Sequence, residues 1–349
     1  MNEMPVKLTA KDFASDQEVR WCPGCGDYAI LKAVQRTLAE IGADPAKTVF
    51  VSGIGCSSRF PYYMATYGFH TIHGRAPAIA TGIKLVNPAL DVWVITGDGD
   101  GLSIGGNHLL HALRRNVGLK IILFNNEIYG LTKGQYSPTS ARGTRSPSTP
   151  YGSIDTPVSA CGFALGARAS FIARSIDTHQ KHLPEMLKAA HAHPGATFLE
   201  IFQNCIVYND GVFADFAARE VREERTIDVR HGQPLLFGKE RNKGLRVDPA
   251  RCRLEVVEIG RNGISESDIL VHDETNPHLA QMLIEMAGPD FPVAIGVIYR
   301  HPRPVYEEEA NRQIAEIRQK TGKPDFAAWI RRGHVWTVGK EGVHPEPLG

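Results

Sequence analysis

Apolar residues at Ile30, Ala33, Val34, Leu38 and Ile41 recur at helical spacing between residues 26 and 42, and Gly42 supplies a C-terminal stop. The next apolar segments are shorter and denser. Residues 48–51, 92–96 and 119–124 are β-branched and aromatic runs without alternation, closed by Ser52-Gly53, Gly97-Asp98-Gly99 and Asn125-Asn126. Runs of this kind predict strands buried on both faces. A helix is predicted over 105–116, strands over 170–173 and 197–202, and a helix over 178–191 between those two. Strands alternating with helices predict an α/β fold, a parallel sheet flanked by helices.

Residues 136–157 are rich in Pro, Ser, Thr and Gly and predict a long loop, a type of segment that often carries function. Beyond residue 209 the character changes. Residues 220–230 are densely charged and 239–246 are basic. A helix over 278–286, a strand over 293–298 and a solvated helix over 307–320 are the main elements expected there. The division this suggests is a ligand-binding domain over 1–209 and a C-terminal extension over 210–349.

Composition adds exclusions. Of 349 residues, 39 are Lys or Arg and 38 are Asp or Glu, so no charge excess points to nucleic acid or an anionic membrane. The purely apolar runs are a few residues long, as at 121–124, against the roughly 20 that a spanning helix needs. Residues 1–16 alternate polar and apolar positions and lack the apolar centre of a secretion signal, so a cytoplasmic location is expected. Six cysteines are too few for a disulfide scaffold, and in a reducing compartment clustered thiols point to metal or redox chemistry.

The densest chemical signal is Gly97-Asp98-Gly99-Asp100-Gly101, followed by Asn125-Asn126. Both segments lie just past predicted strands, at the sheet edge where open α/β proteins bind ligands. Asp98 and the Asn126 amide oxygen are hard donors suited to Mg²⁺. Glycines 97, 99 and 101 allow close backbone approach to phosphate, and the helix expected to open near Gly105 would point its N-terminus at an anion. The pair resembles the thiamine diphosphate signature, with Asp98 and Asn126 standing 28 positions apart. That resemblance implies Mg²⁺ held by Asp98, Asn126 and the carbonyl of Ile128, and coenzyme contacts from Gly55, Ser57, Gly97, Gly99, Asp100, Gly130, Leu131 and Thr132.

A second signal is thiol-based. Cys22-Pro23-Gly24-Cys25 precedes a predicted helix, while Cys56 and Cys205 follow predicted strands. Four thiolates suit zinc or an iron–sulfur cluster. A single Cys-x-x-Cys pair favours the cluster over a zinc ribbon, and a redox dithiol would leave Cys56 and Cys205 idle. Cys161 reads as a small buried hydrophobe and Cys252 as incidental. His179, His182, His191 and His193 read as a solvated helical set.

The order Cys-Pro-Gly-Cys-Gly, Gly-Ile-Gly-Cys-Ser, His73-Gly74-Arg75, Gly-Asp-Gly-Asp and the segment from Asn125 through Tyr129-Gly130-Leu131-Thr132 to Thr139 resembles the β subunit of 2-oxoacid:ferredoxin oxidoreductases over residues 18–210. The resemblance implies a thiamine diphosphate-binding fold of the pyrophosphate type. It implies one [4Fe–4S] cluster on Cys22, Cys25, Cys56 and Cys205, and coenzyme A-dependent oxidative decarboxylation of a 2-oxoacid with ferredoxin as acceptor. His73 and Arg75 become catalytic candidates, and Lys133 and Gln135 candidates for contact with substrate or coenzyme A. An α subunit would supply a pyrimidine-binding domain and the catalytic glutamate, in an αβ or (αβ)₂ assembly. 2-Oxoglutarate is the expected substrate, with pyruvate or broad specificity as the alternative. A non-redox thiamine decarboxylase with structural zinc is the reading outside this family.

Overall fold

The computed structural model describes residues 8–333 and 335–345. It divides into two compact units, Met1–Tyr306 and Glu307–Gly349. The first is built on an eight-stranded sheet: β1 (Thr48–Ser52), β2 (Tyr67–His70), β3 (Asp91–Gly97), β4 (Leu119–Asn125), β5 (Phe171–Ile176), β6 (Thr197–Phe202), β7 (Thr226–Val229) and β8 (Val293–Arg300). Their spatial order is β2-β1-β3-β4-β6-β5-β8-β7. The first six are parallel; β8 pairs antiparallel with β5 and parallel with β7.

Helices cover both faces. Successive strand residues alternate between them, as the pleat requires: Val92 and Val94 join one apolar cluster, Trp93 and Ile95 the other. The first face is closed by α2 (Ala76–Val86), α4 (Gly106–Arg115), α5 (Ala160–Gly166) and α7 (Pro277–Glu285), the second by α1 (Asp27–Glu40) and α6 (His182–Ala192). Burial on both faces is why these strands carry apolar runs rather than alternation.

Three expectations need correction. The boundary at 209/210 falls inside the first unit, because β7 and β8 belong to the main sheet. The helix expected to open near Gly105 is preceded by a separate short one, α3 (Asp98–Leu102), which begins within the Gly97–Gly101 segment itself. Of the histidines read as solvated, His182 and His193 are buried, their ring nitrogens on Ser175 Oγ at 2.8 Å and Ser170 Oγ at 2.9 Å. The second unit holds most of α8 (Tyr306–Thr321), a short helix Phe326–Ile330 and a hairpin of Trp336–Gly339 with Gly342–Pro345. Among the described residues no helix is long and apolar enough to cross a membrane.

Candidate active site

The carboxyl ends of β1, β3 and β4 open onto one pocket. Asp98, Asn126 and Ile128 line it, with Gly97, Gly99 and Asp100 from the start of α3, Gly55, Cys56 and Ser57 from the turn after β1, and Gly130, Leu131 and Thr132 from the loop after β4. The residues that reach this pocket come from the start of α3 and not from the helix beyond Gly105.

Asp98 is buried, and its Oδ2 accepts from Ser137 Oγ at 2.5 Å and Thr139 Oγ1 at 2.7 Å. Burial pushes its carboxyl above the ordinary range, against those two hydroxyls, which favour the charged form. Ser137 and Thr139 lie in the loop flagged for its composition, and no feature of the sequence singles them out as partners of Asp98. Asp100 ties three segments together. Its Oδ1 is 2.7 Å from His73 Nδ1 and accepts from the amides of Gly74 at 2.7 Å and Ile54 at 3.0 Å, while Oδ2 accepts from Thr96 Oγ1 at 2.7 Å. A carboxylate on Nδ1 fixes the tautomer of a neutral His73 and leaves Nε2 as its acceptor. Asp100 is thus a brace for the loops around the pocket.

Asn126 Nδ2 donates to Gln203 Oε1 at 2.8 Å, and its Oδ1 accepts from the amide of Ile128 at 3.2 Å. Behind it, Asn125 Nδ2 donates to Glu200 Oε1 at 2.7 Å. Glu200 is buried and paired with Arg174, its register partner on β5, at 2.8 Å; Cys161 Sγ also donates to it at 3.1 Å. Burial alone would raise the Glu200 carboxyl, and the Arg174 guanidinium reverses that and holds it below the ordinary range. Cys161 is buried as expected, but it joins this polar pair rather than a purely apolar surround.

Three chain segments bring the other thiols to the same end of the sheet. Trp21 Nε1 donates to the carbonyl of Cys56 at 2.7 Å, the amide of Gly26 to that of Asn204 at 3.2 Å, and Gln203 Nε2 to Cys25 Sγ at 3.3 Å. A β-carbon on Gly130 would stand 3.4 Å from Cys205 Sγ and 3.8 Å from Cys56 Sγ, ordinary contact distances, so the loop after β4 lies directly beside both sulfurs. Burial, then the Asp27 carboxylate and then the Cys205 and Cys22 thiols push Cys56 up to about 12; Cys25 is raised for the same leading reasons. Asp27 is buried beside the Asp177 carboxylate, which together hold it at about 7, and its Oδ2 has no partner although the residue lines the pocket. Among the described residues no group of three or more His, Cys, Asp or Glu is gathered closely enough to hold a single metal ion.

Arg75, Lys133 and Gln135 do not line this pocket. Arg75 is exposed and reaches His108 on α4; Gln135 bonds Thr132; Lys133 is exposed, with φ of 76°.

A parallel sheet with Asp98 and Asn126 at adjacent strand ends defines a thiamine-coenzyme domain, and residues 53–201 match the family described as "Thiamine pyrophosphate enzyme, C-terminal TPP binding domain". The chain is 50% identical over 333 residues to the 2-oxoglutarate oxidoreductase subunit KorB of Mycobacterium tuberculosis, covering 94% of this chain and 88% of that one. It is 48% identical over 196 residues to the 2-oxoacid:ferredoxin oxidoreductase 1 subunit beta of Aeropyrum pernix, covering 56% of this chain and 62% of that one. A solved 2-oxoglutarate:ferredoxin oxidoreductase from Magnetococcus marinus, with 2-oxoglutarate, coenzyme A and succinyl-CoA bound, superposes with a TM-score of 0.73 at 31% identity, covering 95% of this chain and 98% of that one. The chain belongs to the β-subunit family of the 2-oxoglutarate and 2-oxoacid:ferredoxin oxidoreductases.

Proposed function

We propose that the chain is the β subunit of an enzyme that oxidatively decarboxylates 2-oxoglutarate to succinyl-CoA and CO₂ and passes the electrons to ferredoxin. Asp98, the Asn126 amide oxygen and the Ile128 carbonyl would take the Mg²⁺ of thiamine diphosphate. Gly55, Ser57, Gly97, Gly99, Gly130, Leu131 and Thr132 would line the coenzyme, and Cys22, Cys25, Cys56 and Cys205 would take one [4Fe–4S] cluster. The donor sets fit both groups. Asp98 and Asn126 bring hard oxygens to the pocket. Cys56 brings a thiol to it, and a β-carbon on Gly130 would stand in ordinary contact with the Cys56 and Cys205 sulfurs. When bound, the coenzyme supplies an electron sink for loss of CO₂ and the cluster a one-electron outlet.

The chain's own residues do the positioning. Ser137 and Thr139 hold the Asp98 carboxylate, and Asp100 holds His73 so that Nε2 of the neutral ring can accept from an O–H or N–H of coenzyme or substrate. Arg75, Lys133 and Gln135, outside the pocket lining, are proposed for the substrate carboxylate or coenzyme A. The relatives' designation as subunits supports an α partner that brings the pyrimidine-binding domain and its glutamate, in an αβ or (αβ)₂ assembly.

The observation that carries this reading is that Cys56 lines the same pocket as Asp98 and Asn126. The test is viologen reduction by the purified complex across several 2-oxoacids, with and without coenzyme A, alongside iron and zinc analysis. The expected result is iron in the β subunit and coenzyme A-dependent reduction fastest with 2-oxoglutarate. Equal rates with pyruvate would replace this with the broad specificity that the name of the Aeropyrum relative supports. Zinc in place of iron, with CO₂ released and no reduction, would establish a non-redox decarboxylase.

A further inference from the structure

Gln203 connects Asn126, which lines the pocket, with Cys25 and is 1% exposed. Its amide makes three hydrogen bonds. Nε2 donates to the carbonyl of Asn204 at 2.7 Å and to Cys25 Sγ at 3.3 Å, and Oε1 accepts from Asn126 Nδ2 at 2.8 Å. A backbone carbonyl only accepts, so the nitrogen must face Asn204 and the oxygen must face Asn126. Asn126 then has to turn its own nitrogen toward Gln203, which leaves its oxygen for a cation. The orientation of the candidate Mg²⁺ donor is therefore held from two sides, by the Ile128 amide on Oδ1 and, through one glutamine, by the main-chain carbonyl of Asn204 on the segment that leads to Cys205.

The side chain has no room to relax. A β-carbon on Gly26 would meet Gln203 Cγ at 3.0 Å and Asp177 Oδ2 at 1.9 Å, so the turn after Cys25 closes directly over it. Asp177 Oδ2 in turn accepts from the amide of Asn204 at 2.9 Å, fixing the carbonyl-bearing residue.

We propose that Gln203 is a positioning residue shared by both centres: it presents the Asn126 oxygen to Mg²⁺ and raises the reduction potential of the cluster by donating an N–H to the Cys25 sulfur. The inference rests on the function proposed above. A hydrogen bond to a cluster thiolate stabilises the more electron-rich, reduced state, so it moves the potential upward. Partners that orient a metal ligand are commonly worth 10- to 100-fold in metal affinity.

The test uses the assembled complex with wild-type Gln203, Gln203→Leu and Gln203→Glu. Two quantities are read: the cluster midpoint potential, by redox titration followed by electron paramagnetic resonance, and Mg²⁺ affinity in the presence of thiamine diphosphate, by calorimetry. Gln203→Leu removes donor and acceptor together. It should lower the potential by a change of about tenfold in the reduction equilibrium, about 59 mV for one electron, and weaken Mg²⁺ by roughly 10- to 100-fold. Gln203→Glu keeps an acceptor for Asn126 but loses the donor to sulfur. It should lower the potential while leaving Mg²⁺ affinity near wild type, and it serves as the readout if the leucine variant does not fold. A wild-type complex without a reducible cluster overturns both this inference and the function beneath it. A reducible cluster whose potential is the same in all three proteins, or a leucine variant that moves one quantity and not the other, overturns the bridge alone.

Discussion

The two ends of the central sheet both bury polar groups, and they do so differently. At the amino end, Asn116 Oδ1 accepts from Ser170 Oγ at 2.6 Å and from the amide of Ala196 at 2.9 Å, while its Nδ2 donates to the carbonyls of Arg303 and Pro304 at 3.0 and 3.1 Å. His193 closes the same knot through Ser170. At the carboxyl end the arrangement is less complete. Among the described residues Asp27 Oδ2 has no partner, and Cys25 and Cys56 are half-buried thiols crowded beside the Asp27 carboxylate. Burial of polar atoms therefore does not mark the site in this fold. An unpartnered buried atom alone does not mark it either, since Thr37 Oγ1 and His272 Nδ1 are in the same position; what sets the site apart is that Asp27, so placed, lines one pocket with Asp98 and Cys56.

Substitutions at the two ends should separate stability from turnover. The largest stability effect belongs to Arg174→Met, which strands Glu200 as an unpaired buried charge. A loss of about 3–5 kcal/mol in chemical denaturation is expected, and a loss below about 1 kcal/mol would show that the pair is not a structural wall of the site. Next, Asn116→Ala should cost about 3 kcal/mol, since it leaves several buried groups unmet, while kcat of the folded fraction stays near wild type. Asp98→Asn should do the reverse, reducing turnover of the complex more than about 100-fold (about 2.7 kcal/mol in barrier) with little change in Tm. Equal stability losses in the two variants would erase the contrast between the ends.

A fourth prediction concerns pH. Burial, with the Lys120, Arg300 and Arg303 charges, holds His193 down at about 4. Between pH 6.5 and 4 the unfolded chain binds the proton that the folded chain refuses, so stability falls on acidification, by on the order of 2 kcal/mol at pH 5. Melting curves of wild type and His193→Gln between pH 8 and 5 check this; parallel curves would contradict it. The smallest effect is expected from Thr139→Ala, which removes one of the two hydroxyls on Asp98. About 1 kcal/mol of stability and roughly tenfold in Mg²⁺ affinity should be lost, both measurable by calorimetry.

What could be read from the sequence was what is contiguous in it. Gly97 to Gly101 and Asn125-Asn126 are short strings at the ends of apolar runs, and both line the pocket. Gln203, Ser137 and Thr139 reach the site across the fold from segments where nothing local distinguishes them. Arg174 and Glu200 did leave a trace: each is a lone charge inside an otherwise apolar strand, in register with the other and of opposite sign. Buried strands admit charge only in pairs, so that trace was usable. The domain boundary was illegible for a different reason. β8 pairs with β5 across more than a hundred residues, and a change in composition at 210 says nothing about where a later strand returns.

One segment, running from Glu200 at the end of β6 through Gln203 to Cys205, carries in turn the buried ion pair, the Asn126 contact and one of the four thiols. A displacement of this short stretch therefore disturbs both sides of the pocket at once, and under the proposed function neither centre can be perturbed here without the other feeling it.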